Sequence, residues 1–208
     1  MKANYTKQLT MPLGCPSAEI SLLDGALDYQ ESFINESLAN DWYDVLRDEI
    51  NWCQLKFRLF GREVSSPRLT AYVGDPNAVY TYSGVRNIPA PWTGLLDTIR
   101  RQVEDYVNHS FNSVLANLYR NGDDSMGWHS DDEKELDEAS PIASLSLGCE
   151  RLFRLKHKVN RTHRLEINLQ PGSLLIMQAS LQHEWQHCIP RQRGVASSRI
   201  NLTFRRIK

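Results

Sequence analysis

The stretch Arg199–Arg205 reads Arg-Ile-Asn-Leu-Thr-Phe-Arg, and it alternates polar and apolar residues without interruption. In a β-strand successive side chains point to opposite faces, so the three apolar residues share one face and the four polar residues share the other. If the polar face lies inside a barrel, its two arginines need an anion between them. A small dicarboxylate would satisfy both, because a planar guanidinium binds a carboxylate in bidentate fashion. An edge strand with its polar face in water is the ordinary alternative.

Short β-rich runs, punctuated by glycine and proline, dominate the chain after residue 110. They lie at 112–120, 142–147, 151–157, 164–169, 173–178 and 199–206. Many short strands in succession predict a barrel or a double-sheet jelly roll. In the first run Leu115, Asn117 and Tyr119 share one face, which would add an amide and a phenol to the same interior.

The first half of the chain is helical in pattern. Apolar residues recur at three- and four-residue spacing over 38–52 and over 92–108, which predicts two helices packed on the strands. Residues 1–30 have no such period, and we expect an irregular N-terminal arm. The predicted helices mostly precede the predicted strands in the chain, and this order indicates an α+β fold. We expect one domain over 31–208, with its jelly-roll core at 110–208.

Composition excludes several classes of protein. The chain has 208 residues, of which 41% are hydrophobic, and this suits one globular domain. No apolar run reaches the roughly 20 residues that cross a bilayer, and no secretory signal is recognisable at the start. The four cysteines lack CxxC spacing, which favours a reducing compartment. We therefore expect a monomer without membrane contact, cytoplasmic (nucleoid-associated in a bacterium) or nuclear in a eukaryote.

Charge is distributed unevenly along the chain. The net charge is −1, but residues 151–208 carry 12 Lys/Arg and only 2 Asp/Glu. The segment 151–164 holds six of these basic residues and no acid, which suggests a nucleic-acid contact. The alternative is a solvated hairpin whose positive charges offset the negative charges of the segment 123–138.

Two histidine patterns could bind a metal. The first, His183-Glu184-Trp185-Gln186-His187, matches the HExxH signature of zinc proteases, which requires a long helix. Pro190 follows closely and no histidine lies downstream to act as a third ligand, so the protease remains an outlying hypothesis.

The second pattern is His129-Ser130-Asp131, in which an extended chain would direct an imidazole and a carboxylate to one point. His187, 56 residues after Asp131, could supply a third ligand. Two histidines and one carboxylate leave three positions of an octahedral metal open, as in Fe(II) oxygenases. HxD alone is a weak signal, and a hydrogen-bonded surface pair is the alternative.

Several of these motifs occur in the order found in one family. They are Asn117-x-Tyr119, Trp128-His-Ser-Asp-Asp-Glu133, Pro141–Gly148, His187 and Arg199–Arg205. Upstream, Leu59-Phe60-Gly61, Pro67-Arg68 and Tyr80–Gly84 resemble a nucleotide-recognition segment, at 55–90. The chain resembles the AlkB-type Fe(II)/2-oxoglutarate dioxygenases, which remove alkyl groups from nucleic-acid bases, over roughly residues 55–208.

The resemblance implies a double-stranded β-helix, with Fe(II) as cofactor and 2-oxoglutarate and O2 as co-substrates. It assigns Fe(II) to His129, Asp131 and His187. It assigns 2-oxoglutarate to Arg199 and Arg205, assisted by Asn117, Tyr119 and Asn201. The implied reaction is direct-reversal repair of 1-methyladenine and 3-methylcytosine in duplex or single-stranded DNA, releasing formaldehyde, succinate and CO2.

The resemblance also implies a set of nucleic-acid contacts. These are Phe60, Gly61, Tyr80, Tyr82, Glu133, Arg151, Arg154, Lys156, Lys158 and Arg161. For Phe60 the alternative is a core residue of a hairpin, and for both tyrosines it is ordinary strand packing. Two other functions stay open: an RNA base demethylase of the same family, and a nucleic-acid-binding protein without turnover.

Overall fold

The computed structural model describes residues 6–8, 19–23, 25–59, 62–82, 85–160 and 162–208. Its strands are β1 (Thr6–Gln8), β2 (Glu19–Leu22), β3 (Leu27–Gln30), β4 (Lys56–Leu59), β5 (Arg62–Ser65), β6 (Leu69–Gly74), β7 (Tyr80–Tyr82), β8 (Val85–Asn87), β9 (Ser113–Tyr119), β10 (Met126–His129), β11 (Ile142–Gly148), β12 (Arg151–His157), β13 (Arg164–Leu169), β14 (Leu174–Met177), β15 (Trp185–Ile189) and β16 (Arg199–Arg205). Its helices are α1 (Glu36–Glu49), α2 (Gly94–Val107) and α3 (Ala179–Glu184).

Two sheets form the core. The larger has the order β2-β3-β14-β11-β16-β9-β6, and the smaller has the order β1-β13-β12-β15-β10. Phe153 and Leu155 of the smaller sheet share one buried cluster with Leu175 and Met177 of the larger, so the sheets pack face to face. The mostly antiparallel pairing and this packing fit the predicted jelly-roll core. Two separate hairpins, β4-β5 and β7-β8, lie between β3 and α2 in the chain, on either side of β6.

Both predicted helices are present and begin at polar caps. The Asn35 side chain accepts from the Leu38 amide at 2.9 Å, and the Thr93 hydroxyl accepts from the Leu96 amide at 3.3 Å. Because of these caps, α1 begins two residues before the predicted start and α2 begins two residues after it. Each helix buries a three- and four-residue stripe, exemplified by Trp42 in α1, in a second cluster with strands of the larger sheet.

The expected irregular segment over residues 1–30 is wrong at residues 6–8, which pair with β13, and over most of the part that follows residue 18. Residues 19–22 and 27–30 form strands, and β3 pairs in register with β14, Leu27 opposite Met177 and Tyr29 opposite Leu175. Leu27 and Tyr29 alternate with half-buried residues, so this short strand contributes to the core. Within the described residues, no helix has the length and apolar content needed to span a membrane.

Candidate metal and co-substrate site

Three potential metal ligands converge at one end of the smaller sheet. His129 ends β10, Asp131 follows two residues later, and His187 lies on β15 directly opposite His129 in the antiparallel register. One ligand atom from each lies within 4.8 Å of the others, and Asp131 Oδ2 is 3.6 Å from His187 Nε2. Among the residues that the structure describes, no other three histidine, cysteine or carboxylate side chains have their potential ligand atoms this close together.

The two imidazoles are prepared for metal binding in different ways. His129 Nδ1–H donates to the Gly127 carbonyl at 2.8 Å, which leaves Nε2 as the lone-pair nitrogen. His187 is buried, and burial together with the neighbouring His129 lowers its pKa to about 3, although Asp131 opposes the shift. The hydrogen bond thus directs His129 Nε2 towards the other ligands, and the lowered pKa favours a neutral His187 imidazole with a free lone pair.

The carboxylate ligand is held in its ionised form. Burial raises the pKa of Asp131, but nearby positive charge, mainly that of the Arg205 guanidinium, outweighs burial and holds the pKa below its ordinary value. Arg205 Nη2 donates to Asp131 Oδ1, and both side chains are almost fully buried. Arg205 Nη1 lies 3.8 Å from Glu133 Oε1, so the protein supplies carboxylates for this arginine.

Arg199 lies on the same strand face and lacks such carboxylates. Its side chain is 1% exposed, and Nη2 donates to the Ser146 hydroxyl at 2.8 Å. Its Nε and Nη1 have no hydrogen-bond partner within the described part of the chain. Burial lowers its pKa to about 10, so the guanidinium is still charged at neutral pH. A buried cation with unpaired donors requires an anion, and a carboxylate is a suitable acceptor for a guanidinium.

Arg151 shows that burial alone does not create such a site. It is also fully buried, but it donates to the carbonyls of Asn121, Asp124 and Pro190 and to the Gln192 side chain, at 2.8–3.0 Å. The prediction that Arg151 contacts nucleic acid is therefore wrong. Its alternation in β12 resembles that of an exposed strand, but the neighbouring loops cover it and take up its donors.

The ligands and arginines share one cavity of about 440 Å³. Tyr119 lies opposite Arg199 and Asn117 opposite Asn201 in the β9–β16 register, which brings the predicted polar residues together. Asn117 Nδ2 donates to Asn201 Oδ1 at 3.3 Å, and the Arg199 guanidinium lies 5.5 Å from the Tyr119 ring centroid. The cavity therefore has a metal-ligand group and, elsewhere on its wall, an unpaired cation.

Two of the predicted base contacts also line this cavity. Tyr80 is buried edge-to-face against Tyr72, with ring centroids 4.8 Å apart, and burial raises its pKa to about 12. Glu133 has a buried Oε2 without a partner among the described residues, and burial raises its pKa above the ordinary value. Tyr82 lies in β7, where only its backbone is described. Phe60, Gly61 and Arg161 lie outside the described residues.

The remaining predicted basic contacts lie on β12 and just after it, and each has a protein partner. Arg154 pairs with Glu166 at 2.7 Å, and the Lys156 ammonium lies 4.3 Å from the ring centroid of Trp128. Lys158 donates to the Gln182 carbonyl at 2.8 Å. Arg154 and Lys156 remain partly exposed, so their side chains can still contact a polyanion.

Sequence reasoning did not place two residues at this site, and it had grouped one of them, Arg68, only with the nucleotide-recognition segment. Arg68 lines the cavity and donates to Asn117 Oδ1 at 2.6 Å. Gln182 binds the backbone of Asp131. The Pro67-Arg68 pair was a signal for the first residue, whereas no local pattern marks the second.

The HExxH pattern does not form a zinc-protease site. Helix α3 ends at Glu184, and Trp185 begins β15, so His183 and His187 lie on different elements. A zincin needs both histidines on one helix face. The local match is broken because residues 185–189 pair with β10 and β12.

Glu184→Gln is expected to leave oxygenase turnover unchanged, because the exposed Glu184 carboxylate is not part of the ligand group. A protease would lose its general base with this change. The measurement is succinate formation by Glu184→Gln beside the wild-type protein. Loss of turnover at unchanged melting temperature and metal content would contradict this assignment.

Comparisons with known proteins agree with this geometry. The sequence profile of the 2OG-Fe(II) oxygenase superfamily matches residues 26–205. The chain is 38% identical to bovine alpha-ketoglutarate-dependent dioxygenase alkB homolog 3, over 84% of this chain and 64% of the relative. It is 40% identical to mouse DNA oxidative demethylase ALKBH2, over 73% and 66%, and 37% identical to the human ALKBH2 protein, over 81% and 69%. The chain thus spans slightly less than two thirds of the first two relatives.

A solved structure supports the fold alone. OsALKBH1 superposes with a TM-score of 0.62 at 16% identity, covering 89% of this chain and 98% of that one.

The superfamily is named for Fe(II) and 2-oxoglutarate, and the donor set fits both. Two imidazoles and a carboxylate with an open side suit Fe(II), and the unpaired guanidinium of Arg199 suits a carboxylate. The profile match over most of the chain and the 37% identity to a protein of which the chain covers 69% agree with this donor chemistry. The chain belongs to the 2OG-Fe(II) oxygenase superfamily and, within it, to the AlkB-type dioxygenases.

Proposed function

We propose that this chain is an Fe(II)- and 2-oxoglutarate-dependent dioxygenase that demethylates 1-methyladenine and 3-methylcytosine in DNA. The observation that carries the proposal is the shared cavity, in which the His129–Asp131–His187 group and the unpaired Arg199 guanidinium occur together. DNA as substrate rests on the relatives, several of which are named DNA oxidative demethylases.

In the proposed mechanism the protein mainly binds and orients. His129, Asp131 and His187 would hold Fe(II), and Arg199 would pair with the far carboxylate of 2-oxoglutarate. Arg205 would hold Asp131 in place and Asn117, Tyr119 and Asn201 would border the co-substrate. Bound iron with 2-oxoglutarate and O2 supplies oxidation of the N-methyl carbon, and the products are the unmethylated base, formaldehyde, succinate and CO2.

The base must leave the helix before it can react. A methyl group on the pairing edge cannot be reached inside a duplex, so the nucleotide flips out or the substrate is single-stranded. Tyr80 would line the pocket, Tyr82 would stack on the base, and Glu133 would face its edge. Methylation at N1 of adenine or N3 of cytosine makes the base cationic, and a carboxylate beside an aromatic ring suits a cation.

The contacts with the DNA strands are proposed to come from the segment 55–90, including Phe60 and Gly61, and from the β12–β13 hairpin. Arg154, Lys156, Lys158 and Arg161 are its proposed phosphate contacts. Residues 31–208 would form one domain that acts as a monomer. A cytoplasmic or nuclear location follows from the proposed substrate, since cellular DNA lies there.

The proposal is tested with Fe(II)-loaded protein, 2-oxoglutarate, O2 and short oligonucleotides that carry one 1-methyladenine or 3-methylcytosine. We expect loss of one methyl mass, with equal amounts of succinate and formaldehyde. Unmethylated DNA of the same sequence is the control. Demethylation of RNA but not DNA would reassign the substrate, and bound metal without succinate would indicate a binding protein.

Glu133→Gln is expected to weaken the reaction on cationic bases selectively, because it removes the charge that would face them. The kcat/KM for 3-methylcytosine should fall by about tenfold, the scale of one partly screened ion pair of about 1.4 kcal/mol. The neutral lesion 3-methylthymine is the matched substrate control and should change less. An equal loss on both lesions would place Glu133 outside base recognition.

A further inference from the structure

The loop that carries Asp131 is attached to the polypeptide segment that carries His187. Gln182 is the last-but-two residue of α3, and β15 begins at Trp185 and contains His187. The Asp131 amide N–H donates to Gln182 Oε1 at 2.9 Å, and the Ser130 hydroxyl donates to the Trp185 carbonyl at 2.8 Å. Residues 182–187 therefore include the ligand His187 and also bind the Asp131 amide and the adjacent Ser130 hydroxyl.

Gln182 is built into the protein as a buried polar group. It is 5% exposed, and its Nε2 lies 3.7 Å from the Met177 sulfur. A buried amide oxygen with a single strong donor has little freedom to turn away, because leaving that N–H unpaired costs free energy. The Gln182 backbone carbonyl also accepts from Lys158, which fixes α3 from the other side.

The Asp131 carboxylate depends on the backbone position that this bond defines. Oδ1 is held by Arg205 and Oδ2 is 3.6 Å from His187 Nε2, so a shift of the Asp131 backbone would change both distances. His129 is positioned separately, through Gly127 and the β10–β15 register. Gln182 thus acts on the carboxylate ligand relative to the histidines.

We propose that Gln182 is a positioning residue of the metal centre, which fixes Asp131 through its backbone N–H relative to His187. It does not touch the metal or the substrate. Partners that orient metal ligands typically change metal affinity by about 10- to 100-fold when they are removed. The inference rests on the assignment of the metal to this triad and is independent of DNA as the substrate.

The test is an anaerobic titration of metal-free protein with Co(II), followed by the ligand-field absorption of the bound ion. We expect Gln182→Met, which keeps the volume but removes the acceptor, to bind Co(II) about 10- to 100-fold more weakly, with an altered absorption band. Gln182→Glu retains an oxygen at the same reach and should restore both readouts. Ser130→Ala removes only the second attachment and should show a smaller loss.

Gln192 provides a matched control. Its Oε1 also accepts from a backbone amide, that of Leu152 at 2.8 Å, but it serves Arg151 and not a metal ligand. Gln192→Met should lower the melting temperature without changing the Co(II) affinity or band. The inference is overturned if Gln182→Met binds Co(II) like the wild type, or if Gln192→Met weakens binding equally. Failure of the wild type to bind Co(II) would overturn it together with the metal assignment.

Discussion

Demethylation is expected to fall below detection in Asp131→Ala. The change removes the only carboxylate among the three converging ligands, and it removes the principal partner of the buried Arg205. Breaking a buried ion pair in this way typically lowers the free energy of unfolding by about 3–5 kcal/mol. The measurements are succinate and formaldehyde yield, bound Fe(II), and the melting temperature.

Asp131→Asn separates the two effects of that substitution. The amide oxygen can still accept from Arg205, so the fold should be retained better than in the alanine variant. Metal binding should still weaken strongly, because a neutral amide is a poorer ligand than a carboxylate and Arg205 would repel the cation. A variant that folds, binds Fe(II) normally and turns over at the wild-type rate would refute the ligand assignment.

Arg199→Met is expected to raise the dissociation constant of 2-oxoglutarate by roughly 30- to 4,000-fold. Truncating one partner of a buried, hydrogen-bonded charge pair costs about 2–5 kcal/mol, and each 1.4 kcal/mol is about tenfold in affinity. Without co-substrate the variant should be at least as stable as the wild type, because a buried cation with two unpaired nitrogens is replaced by an apolar side chain. Calorimetry with metal-loaded protein measures the first effect and thermal unfolding the second.

The matched control is Arg151→Met. Arg151 is equally buried, but each of its three guanidinium nitrogens donates to a backbone carbonyl or to the Gln192 side-chain oxygen. Its removal leaves those acceptors without donors, so the melting temperature should fall while the affinity for 2-oxoglutarate stays the same. If both variants lost affinity equally, the contrast between a paired and an unpaired buried arginine would not explain co-substrate binding.

Local patterns were sufficient for much of the fold and for part of the site. The six strands predicted after residue 110 all occur, because runs of β-forming residues bounded by glycine and proline are local signals. The same reasoning placed Arg199, Asn201 and Arg205 on one face. The short spacing of His129 and Asp131 also made their convergence predictable, since only Ser130 separates them.

The sequence alone did not reveal β10 and β15 as strands, although both carry metal ligands. Met126–His129 and Trp185–Ile189 are short and lack clear alternation, and β15 follows directly from a helical turn. β10 is extended because it pairs with β15, and β15 is extended because it pairs with both β10 and β12. The paired residues lie about 30 to 60 positions apart in the chain. The protease-like match of His183 and His187 was excluded only by this pairing.

The periodicity of most strands, the order of the motifs and therefore the family can be read from local sequence patterns. Three-dimensional packing sets which polar residues are paired and which are left for a ligand. Arg151 and Arg199 both begin strands that alternate, yet distant carbonyls occupy the donors of Arg151, whereas two nitrogens of Arg199 stay free. Likewise, Gln182 meets Asp131 across 51 residues of chain. Such partners depend on how the sheets and loops assemble, which local periodicity does not encode.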